Sequence, residues 1–279
     1  MCTLTLAWRV FEDAPVAVAA NRDEALERES RPPAVYDDDP VIVAPRDAEA
    51  GGTWIGYNEF GVVVGITNKW TDADLAGERS RGLLVADALA ARSAADAKSI
   101  VEDATAADEY GGFYLVVADA TEAFCYQWDG DLALTEFDPG VHVVVNVAVD
   151  DDVDAPSIRP DASREQAANA RAVRETLAVE SGETAADWLE RAAGVLGDHE
   201  YGVCIHRDGF GTRSSSLIAL GHETTRYAYA PGPPCRTRYE DVDLPDLDDP
   251  GTAAGVDTER RTGEADDGDD PSLEGEGHI

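Results

Sequence analysis

Strand-forming and helix-forming stretches fall in blocks along this chain, and that order excludes most folds. Alternating apolar residues predict strands over residues 2–10 and 16–20, joined by Phe11-Glu12-Asp13-Ala14-Pro15, a loop suited to a hairpin. A polar loop follows. Gly51-Gly52-Thr53-Trp54-Ile55-Gly56, the turn Asn58-Glu59-Phe60-Gly61 and the apolar run 62–67 then predict a second hairpin. Two helices are predicted over 80–91 and 93–104; Leu83, Leu84, Ala86, Ala88 and Leu89 give the first a broad apolar face, and Ser93 can cap the second. Strands resume at 113–118, 123–128 and 141–147, with Asp129-Gly130 as a turn after Trp128. Helices over 162–178 and 184–195 and strands at 203–206, 213–220 and 225–229 complete the pattern. Strands, two helices, strands, two helices and strands again do not match an alternating parallel sheet. They predict an α+β fold with two antiparallel sheets packed face to face and helices outside. The first strand then lies inside the sheet pair, with its first residue at the end of a cleft between the sheets.

That first residue is Cys2, directly behind Met1. Initiator methionine is normally removed before a small residue, so the mature chain is expected to start with a cysteine. One residue then carries a thiol, with an ordinary pKa of about 8.5, and a free α-amine of about 7.7–8.0 that can take the thiol's proton. Asn21-Arg22-Asp23-Glu24 directly follows the second predicted strand. Taken alone the tetrapeptide reads as a surface turn, but a hairpin partner of the first strand delivers it back to the edge near Cys2. Asn146 is a polar residue within Val143-Val144-Val145-Asn146-Val147 and points to a site role. Asn68 is open between a site residue and a strand-end cap. Gly51 and Gly52 read as turn residues that let Trp54 pack.

These segments occur in an order that resembles a known family. Met1-Cys2-Thr3, Ala20-Asn21-Arg22-Asp23-Glu24 with Arg28 and Pro32-Pro33, Pro45-Arg46-Asp47, Gly51-Gly52-Thr53-Trp54-Ile55-Gly56, Gly61, Asn68, Ser80-Arg81-Gly82-Leu83 and Gly211-Thr212-Arg213-Ser214-Ser215-Ser216 are similar to the NRDE family. That family includes the animal transport and Golgi organisation protein 2. The resemblance spans residues 1–230. It departs in one place: members usually carry Leu-Ser-Asn and then a Pro-Trp-Pro segment, whereas this chain has Val144-Val145-Asn146 and then Asp150-Asp151-Asp152. Asn146 is left as the counterpart.

The resemblance implies an N-terminal nucleophile hydrolase-like, four-layer αββα sandwich, and chemistry similar to cysteine amidases of non-peptide C–N bonds such as choloylglycine hydrolases. Under it Cys2 attacks a carbonyl, its α-amine shuttles the proton, Asp23 holds the ammonium form and Arg22 lowers the thiol pKa. Asn68 or Asn146 donates to the developing oxyanion, and Arg213 orients a carboxylate or carries charge at the cleft wall. Hydrolysis of this kind requires no cofactor. The resemblance also implies an alternative without catalysis, a carrier of haem, acyl-CoA or lipid, with haem held by Cys2 or a histidine. A third reading is a trafficking factor.

Composition narrows the partners. Twenty-two Lys+Arg against 57 Asp+Glu give a formal charge of -35, and only Lys69 and Lys98 are lysines. Such an acidic excess repels nucleic acid and anionic membranes. A small-molecule ligand or substrate is expected instead. No apolar run approaches the roughly 20 residues of a membrane helix, and there is no signal peptide pattern, so a cytoplasmic protein is expected. Cysteines at 2, 125, 204 and 235 show no close pairing and no metal-ligand spacing such as C-x-x-C, so neither a disulfide scaffold nor a metal site is predicted. His142, His199, His206, His222 and His278 are scattered and read as satisfied or surface residues. His206-Arg207-Asp208 imitates part of a kinase catalytic loop without any phosphate-binding glycine motif. The runs Asp37-Asp38-Asp39 and Asp150-Asp151-Asp152 read as solvated loops. Domain boundaries are expected at 1–239, with 240–279 as a disordered acidic tail: those last forty residues hold fifteen acids and no aromatic.

The charge pattern is that of a protein dissolved in concentrated salt, hence the expectation of a halophile's cytosol, in which a literal Golgi role has no place. At ~1 M salt the Debye length shrinks to roughly 3 Å and self-repulsion becomes tolerable. Thermal melts at rising KCl concentration are expected to show a midpoint that climbs steeply with salt; a salt-independent midpoint would contradict this reading.

Overall fold

Residues 3–8 alternate between large and small side chains, yet all six are buried. A strand buried on both faces must sit inside a stack of layers. The computed structural model, which describes residues 2–221 and 224–244, shows that stack. In chain order come β1 (Thr3–Trp8), β2 (Val16–Ala25), β3 (Ser30–Asp38), β4 (Val41–Asp47), β5 (Ile55–Asn58) and β6 (Val63–Asn68), then α1 (Arg81–Leu89) and α2 (Ala94–Ala107). Next are β7 (Phe113–Ala118), β8 (Ala123–Trp128), β9 (Leu132–Glu136), β10 (Gly140–Val145), β11 (Ala148–Val149) and β12 (Asp152–Val153). The helices α3 (Pro160–Thr176) and α4 (Ala185–Gly197) and a 3-10 turn (His199–Tyr201) lead to β13 (His206–Arg207), β14 (Phe210–Leu220), β15 (Thr225–Ala230) and β16 (Glu240–Asp241).

One sheet runs β12-β11-β10-β1-β2-β14-β15-β16, with β13 paired to β14; the other runs β3-β4-β5-β6-β7-β8-β9. Every pairing is antiparallel. Strand alternation sorts side chains into three apolar layers. Leu4, Leu6, Trp8, Val16, Val18 and Val144 meet Ile55, Val63, Tyr114 and Val116 between the sheets. On the other face of the first sheet, Ala7, Ala17, Ala19, Val143 and Val145 pack against Ala170, Val173, Trp188, Leu189 and Ala192 of α3 and α4. Phe113, Leu115 and Val117 pack the outer face of the second sheet against Leu84, Val85, Leu89 and Val101 of α1 and α2. Ala7, Ala17 and Ala19 lie on the helix side, where small residues let α3 and α4 approach. The result is the αββα sandwich expected from the sequence. Among the described residues no helix is long and apolar enough to cross a membrane.

Helix starts follow their caps. Ser80 accepts from the Gly82 amide, Ser93 from that of Asp96, and Thr184 forms a capping box with Asp187.

Four expectations are corrected. The polar loop before Gly51 is the hairpin β3–β4. Residues 21–24 do not follow the second strand but belong to it, because β2 continues to Ala25 and pairs with β14. The predicted strand at 203–206 shrinks to His206–Arg207. Glu240–Asp241 is no tail but an edge strand on β15, and Val242 and Leu244 pack on the layer between the sheets. The rest of the expected tail, with His278, and His222 lie outside the described residues.

Gly52 has a structural task consistent with its reading as a turn residue. A Cβ placed there would stand 2.3 Å from the backbone carbon of Gly82, at the start of α1. Gly52→Ala is expected to push α1 off its seat and destabilise the fold by about 1–3 kcal/mol, measurable as a lowered denaturant midpoint.

Candidate active site

Strand pairing decides which polar residues meet. β1 and β2 pair in antiparallel register up to Thr3 with Asn21, which sets Cys2 beside Arg22 where β1 begins and β2 runs on past it. There the inter-sheet layer opens into a cleft. Its narrow inner part is lined by Cys2, Asn21, Arg22, Trp54, Ile66, Thr67 and Ser216 among others. The wider outer part is lined by Arg22, Glu24, Arg28, Asp47, Thr53, Trp54, Asn68, Ser80 and Arg81 among others.

The Cys2 amide nitrogen donates to Asn146 Oδ1 at 3.1 Å. That amide is held from two sides: Oδ1 also accepts from Gln166 Nε2 of α3 at 3.0 Å, and Nδ2 donates to the Asn68 carbonyl. Asn146, 1 % exposed, thus fixes the nitrogen of residue 2 and joins the two sheets. The Cys2 sulfur sits 3.7 Å from the Asp23 carbonyl oxygen. Burial pushes the Cys2 thiol above its ordinary value, and the opposite pull of Arg22 is weaker than this. Arg22 does pull the thiol pKa down, as expected from the sequence, but desolvation outweighs it and the thiol ends above its ordinary value.

Arg22 is buried and heavily engaged. Its guanidinium lies 4.1 Å from the Trp54 ring centroid, and Nη2 donates to Asp47 Oδ2 at 3.2 Å. Asp47 also accepts from Arg28 Nε at 2.6 Å and from the amides of Glu49 and Ala50. Burial alone would raise the Asp47 carboxyl, but the Arg28 and Ala50 hydrogen bonds hold it below the usual range. Arg22 Nη1 is buried with no hydrogen-bond partner among the described residues. Arg81 adds a third guanidinium to the cleft, anchored through Nη1 to the Gly112 carbonyl at 2.8 Å.

Asp23, 3 % exposed, accepts from Thr212 Oγ1 at 2.6 Å. Thr212 in turn accepts from the Ile205 amide at 2.8 Å. Burial pushes the Asp23 carboxyl up to about 6, against the opposing Thr212 hydrogen bond. Asn21, by contrast, faces α4, donating through Nδ2 to the carbonyls of Leu196 and Val203.

Of the residues singled out by sequence, Cys2, Arg22, Asp23, Asn68 and Asn146 converge at this end of the sheets. Arg213 does not line either part of the cleft; at the bulge between Thr212 and Ser214 it reaches behind, donating to the Arg28 carbonyl at 3.4 Å. Sequence reasoning assigned no role to Asp47, Arg28 and Arg81, although each stood in a quoted motif. Gln166 and Thr212 carried no individual signal.

This fold is that of the N-terminal nucleophile hydrolases. Similar solved structures include penicillin V acylase from Agrobacterium tumefaciens (14% identity, TM-score 0.51, 88% of each chain covered). A variant of conjugated bile acid hydrolase from Clostridium perfringens is 12% identical, with TM-score 0.54 over 89% of this chain and 94% of that one. The Caenorhabditis elegans N-acylethanolamine-hydrolyzing acid amidase ortholog is 10% identical, with TM-score 0.52 over 78% and 92%. No curated protein matches the sequence. Residues 1–229 match the family Transport and Golgi organisation 2, and the chain belongs to that family.

A carboxyl whose native pKa is raised favours the folded state when protonated. Its contribution is fully present below about 3.9 and is lost as pH rises through about 6. Denaturation of the native protein and of Asp23→Asn at constant salt should therefore differ in slope between these values. The native protein is expected to lose on the order of 2–3 kcal/mol relative to the variant across that window.

Proposed function

We propose that this protein is a hydrolase whose nucleophile is Cys2 as N-terminal residue, acting on a non-peptide amide of a small metabolite. One observation carries this reading: the sulfur and the backbone nitrogen of residue 2 both sit at the inner end of a cleft, the nitrogen oriented by an amide that has no freedom to turn away. With Met1 removed, that nitrogen is an α-amine. It takes the thiol proton as sulfur adds to the substrate carbonyl, forming the C–S bond. Collapse breaks the C–N bond, and the amine leaves with the proton. Water then cleaves the thioester, releases the carboxylate and restores the thiol. An adjacent base suits a thiol that burial keeps protonated in the resting state, because the proton moves only when the carbonyl arrives.

Asp23, close to half-ionised near pH 6, steadies the ammonium form of the α-amine. Asn68, on the cleft wall, is the donor for the oxyanion; Asn146 is a positioning residue for the amine. Arg213 supports Arg28 from behind and contributes charge to the cleft only through it. Three guanidinium groups against two carboxylates, with Arg22 Nη1 lacking an acceptor, favour a substrate that carries an anionic group. The acylase, hydrolase and amidase among the structural neighbours support the same chemistry.

The carrier reading has less to stand on. Among the described residues no histidine lines the cleft, and burial disfavours a Cys2 thiolate as an axial ligand. Haemin titration tests it directly: a Soret shift abolished by Cys2→Ala would favour the carrier.

Cys2→Ala is expected to abolish hydrolysis across a panel of N-acyl amides with anionic ends, leaving the melting temperature nearly unchanged. N-terminal mass spectrometry should find Cys2 first and labelled by iodoacetamide at neutral pH. Retained Met1, or full activity in the variant, would overturn the mechanism.

A further inference from the structure

Four potential ligands converge away from the cleft. His199 comes from the 3-10 turn after α4, Cys204 from the link that follows, His206 from β13, and Cys235 from the segment after β15. Their ligand atoms all lie within 4.8 Å of one another. His206 Nε2 is 3.6 Å from Cys204 Sγ and 3.2 Å from Cys235 Sγ. The two imidazole rings stand 5.2 Å apart at an interplanar angle of 73°. A tetrahedron with bonds of about 2.0–2.1 Å to nitrogen and about 2.3 Å to sulfur places neighbouring ligand atoms roughly 3.3–3.8 Å apart, so the set needs only a small contraction to close around an ion.

We propose that His199, Cys204, His206 and Cys235 form a structural zinc site. Two thiolates and two imidazoles are the donor set that suits zinc, and hard cations such as magnesium and calcium prefer oxygen. All four positions of a tetrahedron are taken, which makes the site closed and structural. His199 and His206 are therefore not scattered, and the proposal departs from the expectation of no metal: three ligands fall within residues 199–206 and the fourth at 235, so no C-x-x-C spacing announces them. His142 remains a satisfied histidine, bonded to Asp150 and to the Asp138 carbonyl.

The position gives the ion a purpose. It would pin the segment after β15 to the β13–β14 hairpin and to the end of α4. Between two of the ligands lies Ile205, whose amide holds Thr212, which holds Asp23. The tether thus steadies the hairpin that positions a buried carboxylate beside residue 2.

The test uses the full chain, purified reduced and without a metal-affinity tag, loaded with zinc chloride and then dialysed against a weak chelator to strip ions from its many surface carboxylates. Mass spectrometry of the metal is expected to give about one zinc per chain, and Co²⁺ in its place should show the intense visible absorption of a tetrahedral site with a sulfur-to-metal charge-transfer band. Cys204→Ser with Cys235→Ser should lose both. As a control against misfolding of that pair, His199→Ala and His206→Ala, at exposed positions, are measured alongside and should bind at least tenfold more weakly. Zinc addition should raise the melting temperature of the native chain by several degrees and leave the histidine variants unmoved. No retained zinc in the native chain, zinc retained equally by folded variants, or an octahedral Co²⁺ spectrum would overturn the proposal.

Discussion

Burial of β1 and β2 on both faces is the constraint from which the rest of this structure follows. A strand in the middle of a sandwich has no solvent face, so its side chains must be apolar throughout or be fully satisfied. β1 and β2 meet the first condition along most of their length, with large residues toward the second sheet and alanines toward α3 and α4. At the end where Cys2, Asn21, Arg22 and Asp23 gather the side chains are polar and largely, though not fully, satisfied: Arg22 Nη1 has no hydrogen-bond partner among the described residues. Polar groups can lie there only because the layer opens into a cleft and because partners arrive from elsewhere: Asn146 from the end of β10, Asp47 from β4, Thr212 from β14. Core and site are two ends of the same pair of strands.

That arrangement makes the polar cluster rigid at a cost. Arg22 is held by Asp47 and by the Trp54 ring, and Asp47 is itself held by Arg28 and two backbone amides. Removing one member leaves a buried charge uncompensated, which is dearer than never having placed it. Raised pKa values at Cys2 and Asp23 show the same desolvation from the proton's side. On the proposed reading, a thiol that burial keeps protonated reserves its charge separation for the moment a substrate carbonyl supplies the place for it, beside a carboxylate that ionises near pH 6.

What sequence could disclose followed the same physics. β7 and β8 were legible to the residue because each is a short apolar run rich in β-branched and aromatic residues, buried on both faces, and the two runs are bounded by Gly111-Gly112 before and Asp129-Gly130 after. The hairpin β3–β4 was hidden: β3 is an edge strand, mostly exposed, carrying Pro32-Pro33 and Asp37-Asp38, which read as breakers when the pairing partner is unknown. Asn21 to Glu24 looked like a turn because four polar residues mask alternation, and only tertiary partners make their burial possible. At the site, Cys2 and Asn146 could be singled out from oddity alone, a thiol at a chain start and an amide in a valine run. Gln166 and Thr212 could not, since a glutamine in a polar helix and a threonine in a strand are ordinary until the fold sets them against Asn146 and Asp23. The His199, Cys204, His206 and Cys235 cluster lay beyond reach for a related reason: three of its members fall close together at 199, 204 and 206, but their spacing is not a common ligand pattern and the fourth member comes from a remote segment.

Charge adds the last step. A chain with formal charge -35 repels anions at long range, yet Arg22, Arg28 and Arg81 all wall one cleft. The two facts are compatible if capture depends on contact rather than on steering. In concentrated salt, with a Debye length of only a few ångströms, the global field vanishes a few atoms from the surface while direct guanidinium contacts inside a half-enclosed cleft persist. Arginine suits that condition better than lysine, because its planar fork stacks on Trp54 and binds Asp47 while keeping further N–H groups for a ligand. If the protein works in such salt and takes the anionic ligand proposed above, recognition at this site depends on geometry at van der Waals range, and association gains nothing from the charge of the protein as a whole.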